Sequence, residues 1–259
     1  MRLKTAVRLF PRLFGANSYL GGRGYIFLIG HMRSYSSLLG HILGSHVDIA
    51  GYAEMHQKYR NIFDLIELAK KVEETSGKTP VNRYVFDKIL HPLQIHDRIL
   101  NRSDLDIILI ARRPEPTITS ILDLKAGGIT TIEAAIDHYV AQLAIQTRIL
   151  HSRAGAVCYM DAETIIEKTD CTLTNLATYL GITPTLSENY SIFQHTGAPK
   201  FGDPTERIKT GKVIKERSIY PTVKFTKTQS QRLSEAYLAL RQQAQNIAEI
   251  SIFAEPDTH

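Results

Sequence analysis

Five short segments carry side chains whose types suit chemistry on an anion. The first is Arg33-Ser34-Tyr35-Ser36-Ser37, between an apolar run beginning at Tyr25 and a Leu-rich stretch reaching Leu43. A strand that enters a helix through so short a turn aims unsatisfied N–H groups, and the positive end of the helix dipole, above the sheet. Arg33 adds a full charge and the serines add hydroxyl donors, so the expected guest is a phosphate or sulfate ester. Glu54 and His56 follow a short strand around 49–52 and become candidates for acid–base work, since strand ends face the ligand crevice of an open α/β sheet. Glu54 reads equally as an acid opening the next helix. Lys88 stands near the exit of Arg83–Leu90, with His91 as a reserve base; a surface lysine is the plainer reading. Arg112 leaves the Ile-rich run Leu105–Ala111, and Ser120 lies on the following helix, where its backward-leaning hydroxyl approaches the same pocket. Last comes a basic loop over 200–221, containing Arg207, Lys209, Gly211 and Lys212, beside which a solvated surface loop is the alternative.

The elements that must position these groups are legible from periodicity. Continuous apolar runs at 25–29, 105–111 and 156–160 read as buried strands. Helical spacing covers 62–75, with Ile62, Leu65, Ile66, Leu68, Ala69 and Val72 inward, and 132–150, with Ile136, Tyr139, Val140, Leu143, Ile149 and Leu150 inward. Pro114 opens a helix that Gly127-Gly128 ends, a further helix spans 173–180, and the last runs over 229–250. Ser76-Gly77-Lys78-Thr79 imitates a phosphate-binding loop, but Val72 stands where that motif requires glycine, so it reads as a helix stop.

The chain of 259 residues is 43% hydrophobic and 22% charged, which fits one α/β domain over residues 23–259 preceded by a basic arm over 1–22. That arm is read as frayed, with weak membrane-surface contact as the alternative. Two cysteines at no metal-ligand spacing suggest neither disulfide scaffold nor zinc site and favour a cytoplasmic setting. Net charge is +5, and no acidic residue precedes Asp48, which favours a ligand carrying several phosphates. No nucleic-acid recognition motif accompanies the charge.

The segments resemble sulfotransferases in order and spacing across nearly the whole chain. Arg33, Ser34, Ser36, Ser37, Leu38 and Leu39 match the 5′-phosphosulfate loop, with Met32 where proline is usual and Tyr35 where glycine is usual. Ser45-His46-Val47-Asp48 followed by Glu54-Met55-His56 resembles the heparan-type turn that bears the catalytic base. Lys88 matches a lysine near the transferring group, although Ile89 and Leu90 replace Thr-Pro. Arg112, Pro114 and Ser120 match the 3′-phosphate site, and Gly202, Pro204, Arg207 and Gly211 match the segment that closes over the nucleotide, with Asp203 in place of Asn.

The resemblance implies a P-loop-like three-layer α/β/α fold with a central parallel sheet, 3′-phosphoadenosine 5′-phosphosulfate as donor, and no metal. It implies Glu54 as base, with His56 near it, and Arg33 and Lys88 as stabilisers of the departing bridging oxygen. The acceptor, a carbohydrate, lipid or small molecule, is not encoded in any readable motif. Two alternatives stand beside this reading: a nucleotide or sugar kinase of the same topology, and a non-catalytic nucleotide or anion binder, which Tyr35 in the loop keeps open.

Overall fold

The computed structural model describes residues 22–90, 95–198, 202–216 and 223–255. Residues 1–21 of the expected basic arm, and the reserve base His91, lie outside these. Six strands, β1 (Gly24–Gly30), β2 (Ile49–Ala50), β3 (Tyr84–Ile89), β4 (Leu105–Ala111), β5 (Cys158–Asp161) and β6 (Ile250–Ile252), form one sheet in the order β2-β3-β1-β4-β5-β6. Every pairing is parallel. All seven residues of β1 are buried, as a central strand covered on both faces requires, and this is why its sequence is apolar without alternation.

The helices are α1 (Ser36–Ser45), α2 (Ile62–Ser76), α3 (Asp97–Leu100), α4 (Pro114–Asp123), α5 (Ile132–Ser152), α6 (Thr164–Glu167), α7 (Thr169–Leu180) and α8 (Lys227–Ile247). Alternate residues of β1 serve two cores. Ile26 and Leu28 pack with Leu39 and Leu43 of α1 and Leu173 and Leu176 of α7. Phe27 and Ile29 pack in the core shared by Leu65 of α2, Ile118 of α4, Tyr139 of α5 and Leu233 of α8. The result is the expected three-layer α/β/α architecture. Since β1 and β4 are neighbours but feed helices on opposite faces, their carboxyl ends open a crevice, the usual ligand position in such sheets.

Local chemistry explains most boundaries. Asn61 caps α2 in a reciprocal capping box with Asp64, and Gly77 ends it at φ 68°. The next residue, Lys78, donates from Nζ to the carbonyls of Gly44, His46 and Ile49 at 2.6, 2.9 and 3.3 Å. The phosphate-loop look-alike is thus a helix stop, and its lysine satisfies carbonyls at the end of α1.

Two boundaries differ from expectation. The helix after β4 stops at Asp123, and a separate 3₁₀ turn over Ala126–Gly128 follows it. The last helix stops at Ile247 and Ile250 begins β6, because the outer edge of β5 takes a parallel partner there, with Glu249 N donating to the Val157 carbonyl at 2.9 Å. Among the described residues no helix is long and apolar enough to cross a membrane.

Helix α1 lies against the chain leaving β2, and a Cβ added at Gly40 would press into the Tyr52 carbonyl oxygen. Gly40→Ala is expected to destabilise the protein by about 1–3 kcal/mol through overpacking, despite alanine's better helix propensity. Urea denaturation checks this: an unchanged midpoint would mean that α1 does not approach Tyr52 so closely.

Candidate active site

A cavity of about 800 Å³ lies over the carboxyl ends of the central strands. The loop between β1 and α1 forms its floor, with Arg33, Tyr35, Ser36 and Ser37 all lining it. Ser34 does not; its buried hydroxyl donates to the His31 carbonyl at 2.7 Å and closes the turn. Arg33 and Tyr35 both adopt left-handed backbone, at φ 64° and 56°. The N-cap residue Tyr35 supplies no side-chain capping bond to α1, and no acidic residue occupies its first turn, so that turn suits an external anion.

Arg112 enters from the end of β4. Its main-chain N–H donates to His31 Nε2 at 3.0 Å, and its carbonyl accepts from the Tyr139 hydroxyl at 2.7 Å. His31 Nδ1 in turn donates to the Met32 carbonyl at 2.9 Å, which fixes the tautomer. Burial pushes the His31 pKa down to about 3, so the ring stays neutral and can accept from Arg112. The Arg112 guanidinium donates from Nη1 to the Arg33 carbonyl at 3.0 Å, lies 4.4 Å from the Tyr35 ring centroid, and keeps a buried Nε without a hydrogen-bond partner. Arg33 donates from Nε to Ser120 Oγ at 2.9 Å and pairs with Asp203 at 3.3 Å. Ser120 therefore joins the site by orienting Arg33; it does not line the cavity.

Lys88 leaves β3 fully buried and donates to Ser37 Oγ at 3.1 Å. Burial lowers its pKa, and the carboxylates of Glu54, Asp87 and Asp203 oppose that shift. Asp203 N also donates to Ser37 Oγ, at 3.0 Å. A Cβ at Gly202 would collide with Ser37 Oγ and sit 3.1 Å from Lys88 Nζ, so only glycine lets this backbone lie on the loop. Arg207 and Lys212 of the same basic segment line the cavity. Lys209 and Gly211 do not: Lys209 pairs with Glu206 at 2.7 Å, and Gly211 terminates the 3₁₀ turn Glu206–Thr210.

Glu54 and His56 also face the cavity. Glu54 is buried, its Oε1 accepting from Leu90 N at 3.2 Å and lying 3.7 Å from His56 Nδ1. His56 is half exposed and left-handed, at φ 48°. Cations for an anionic ligand and a carboxylate with an imidazole beside it thus share one cavity.

No protein-family model matches the chain, and no curated protein does. Solved structures do. The sulfotransferase domain from the curacin biosynthetic pathway superposes with a TM-score of 0.58 over 83% of this chain and 97% of that domain, at 17% identity. The sulfotransferase domain from the Synechococcus PCC 7002 olefin synthase gives 0.57 over 84% and 95%, at 16% identity. This chain has the fold of sulfotransferase domains.

Within that sulfotransferase-type fold, two buried side chains that sequence reasoning left without a role hold the cavity residues in place. His31 is one; Asp87 is the other. Asp87 accepts from Met55 N at 2.8 Å and from the Tyr59 hydroxyl, and so grips the backbone between Glu54 and His56. The signal in the sequence was an Asp-Lys pair inside an otherwise apolar strand, in which alternation sends the two charges to opposite faces.

Burial raises the Asp87 pKa to about 7, against about 3.9 for a free aspartate. A folded-state value above the unfolded one means that the fold holds the proton more tightly. The stability from this group is therefore full below about pH 4 and is lost as pH rises through 7. Asp87→Asn cannot titrate, so its stability should fall less than wild type's between pH 5 and pH 8. Denaturation midpoints at the two pH values decide this, and equal slopes would remove Asp87 as the titrating group.

Proposed function

We propose that this chain is a sulfotransferase that moves a sulfuryl group from 3′-phosphoadenosine 5′-phosphosulfate to a hydroxyl or amine of a carbohydrate, lipid or small-molecule acceptor. The observation that carries the reading is the convergence of Arg33, Lys88, Arg112 and Glu54, from the exits of four different segments, on one cavity in a sulfotransferase-type fold. The chemistry asks for what these residues offer. The 5′-phosphosulfate would lie over the first turn of α1, with Arg33, Ser36 and Ser37 around it. The 3′-phosphate would meet Arg112, whose buried Nε has no other partner. Arg207 and Lys212 would add charge at the rim.

In the transfer, Glu54 takes the proton from the acceptor oxygen or nitrogen as that atom bonds to sulfur. The bond from sulfur to the bridging phosphate oxygen breaks, and the electron pair stays on that oxygen. Lys88 and Arg33 stabilise the charge that grows there. The products are the sulfated acceptor and 3′-phosphoadenosine 5′-phosphate. Met32, Leu90, Leu124 and Ala126 give the cavity apolar walls, which limit water as a competing acceptor.

Glu54→Gln is expected to lower turnover by ~10²-fold or more while leaving affinity for 3′-phosphoadenosine 5′-phosphate within about twofold. Calorimetry and single-turnover sulfate transfer measure the two quantities, and unchanged turnover removes Glu54 from the role. The donor assignment rests on a second comparison. Wild type should prefer 3′-phosphoadenosine 5′-phosphate over ATP, and Arg112→Ala should lose that preference; equal binding of both by wild type sinks the assignment.

A further inference from the structure

Tyr35 stands where the sulfotransferase loop pattern has glycine, and it is the least expected residue of the site. Its backbone keeps the conformation that glycine would favour, φ 56° and ψ 14°, so the path of the loop is preserved and only a side chain has been added. A non-glycine residue in that region is strained by about 1 kcal/mol or more, and it persists where the surroundings over-determine it. Here the surroundings are on one side the core beneath α1, against which Tyr35 packs, and on the other the Arg112 guanidinium, 4.4 Å from its ring centroid.

We propose that Tyr35 is the positioning residue for Arg112, and that its ring makes the site selective for a nucleotide bearing a 3′-phosphate. The proposal rests on the donor reading above. Four contacts fix Arg112. Its backbone is held by His31 and Tyr139, its Nη1 by the Arg33 carbonyl, and its Cζ lies over the Tyr35 ring. A guanidinium stacked on a ring keeps its in-plane N–H groups free for an oxyanion. The Nε edge, buried and without a hydrogen-bond partner, is the one left for the ligand. Without the ring, the Nη1 bond to the Arg33 carbonyl alone holds the end of the Arg112 side chain, which turns about that bond and loses its aim. Both Tyr35 and Arg112 line the cavity, so the ring also walls the space that the phosphate would enter.

The test compares affinities for adenosine 3′,5′-bisphosphate and adenosine 5′-monophosphate by calorimetry in wild type, Tyr35→Phe, Tyr35→Asn and Tyr35→Gly. Wild type and Tyr35→Phe should prefer the bisphosphate equally. Tyr35→Asn and Tyr35→Gly, which both tolerate left-handed backbone, should keep monophosphate affinity and lose about tenfold of the preference. Ring-current shifts of the Arg112 side-chain resonances, read in ligand-free protein, should be present with Tyr or Phe and vanish with Asn or Gly; they report the stacking even if one variant folds poorly. Equal affinities for the two nucleotides in wild type overturn the donor reading together with the selectivity. A wild-type preference that survives Tyr35→Asn and Tyr35→Gly, or an Arg112 side chain with no ring-current shift in wild type, overturns the role of Tyr35 alone.

Discussion

Burying positive charge at the carboxyl edge of a parallel sheet is the constraint on which the rest of this structure depends. Lys88 is 0% and Arg112 4% exposed, and removing such groups from water is expensive unless hydrogen bonds and nearby carboxylates replace the solvent. The fold meets this in two ways. Arg112 directly meets neutral groups, a carbonyl oxygen and an aromatic face, and feels the buried Glu163 carboxylate at longer range. Lys88 donates to a hydroxyl and feels the carboxylates of Glu54, Asp87 and Asp203 at longer range. A direct ion pair would have lowered the cost of burial, but it would also have neutralised the field that an anionic ligand meets. His31 belongs to the same logic, since only a neutral imidazole can lie beside Arg112 and accept from its backbone.

Backbone strain is distributed in the same pattern. Among the described residues, Arg33, Tyr35, His56, Asn82 and Lys125 are the non-glycine positions with positive φ, and all but Asn82 line the cavity. Each conformation costs on the order of 1–3 kcal/mol and needs surrounding structure to hold it. That structure is present around three of them. The backbone on either side of Arg33 and Tyr35 is pinned by the Ser34 hydroxyl and by the start of α1, and His56 follows the Met55 amide that Asp87 holds. Strain collected at one cavity, in a fold otherwise built of regular strands and capped helices, is what a preorganised site requires.

Much of this was legible in the sequence because both-face burial writes itself as unbroken apolar runs. β1 and β4 read directly, as did the polar turn after β1 and the arginine after β4. The three-layer fold followed from their order together with the family resemblance. β6 did not read, since three residues after a long helix carry no period of their own, and its existence depends on the unpaired edge of β5 more than 80 residues away. Ser120 was singled out by spacing as a phosphate ligand, yet its partner is Arg33 and it does not line the cavity, because a hydroxyl on the second turn of α4 meets whichever donor the neighbouring loop brings to it. Asp87 was visible but silent. An acid in a strand resembles a solvated residue until the fold shows that Tyr59 and the Met55 amide wait on the covered face.

The two strand–turn–helix units that flank the crevice act as one site and not as two. Arg33 from the β1 turn is oriented by Ser120 from α4, while Arg112 from the β4 end is oriented by the Arg33 carbonyl and the Tyr35 ring. Each unit therefore supplies the positioning groups for the other's cation. Such reciprocal bracing means that the groups proposed for the two ends of the donor, 5′-phosphosulfate and 3′-phosphate, share a hydrogen-bond network whose members do not contribute independently. It also ties specificity to chemistry. Arg33 would stabilise charge during transfer, and its backbone holds the residue that would recognise the 3′-phosphate.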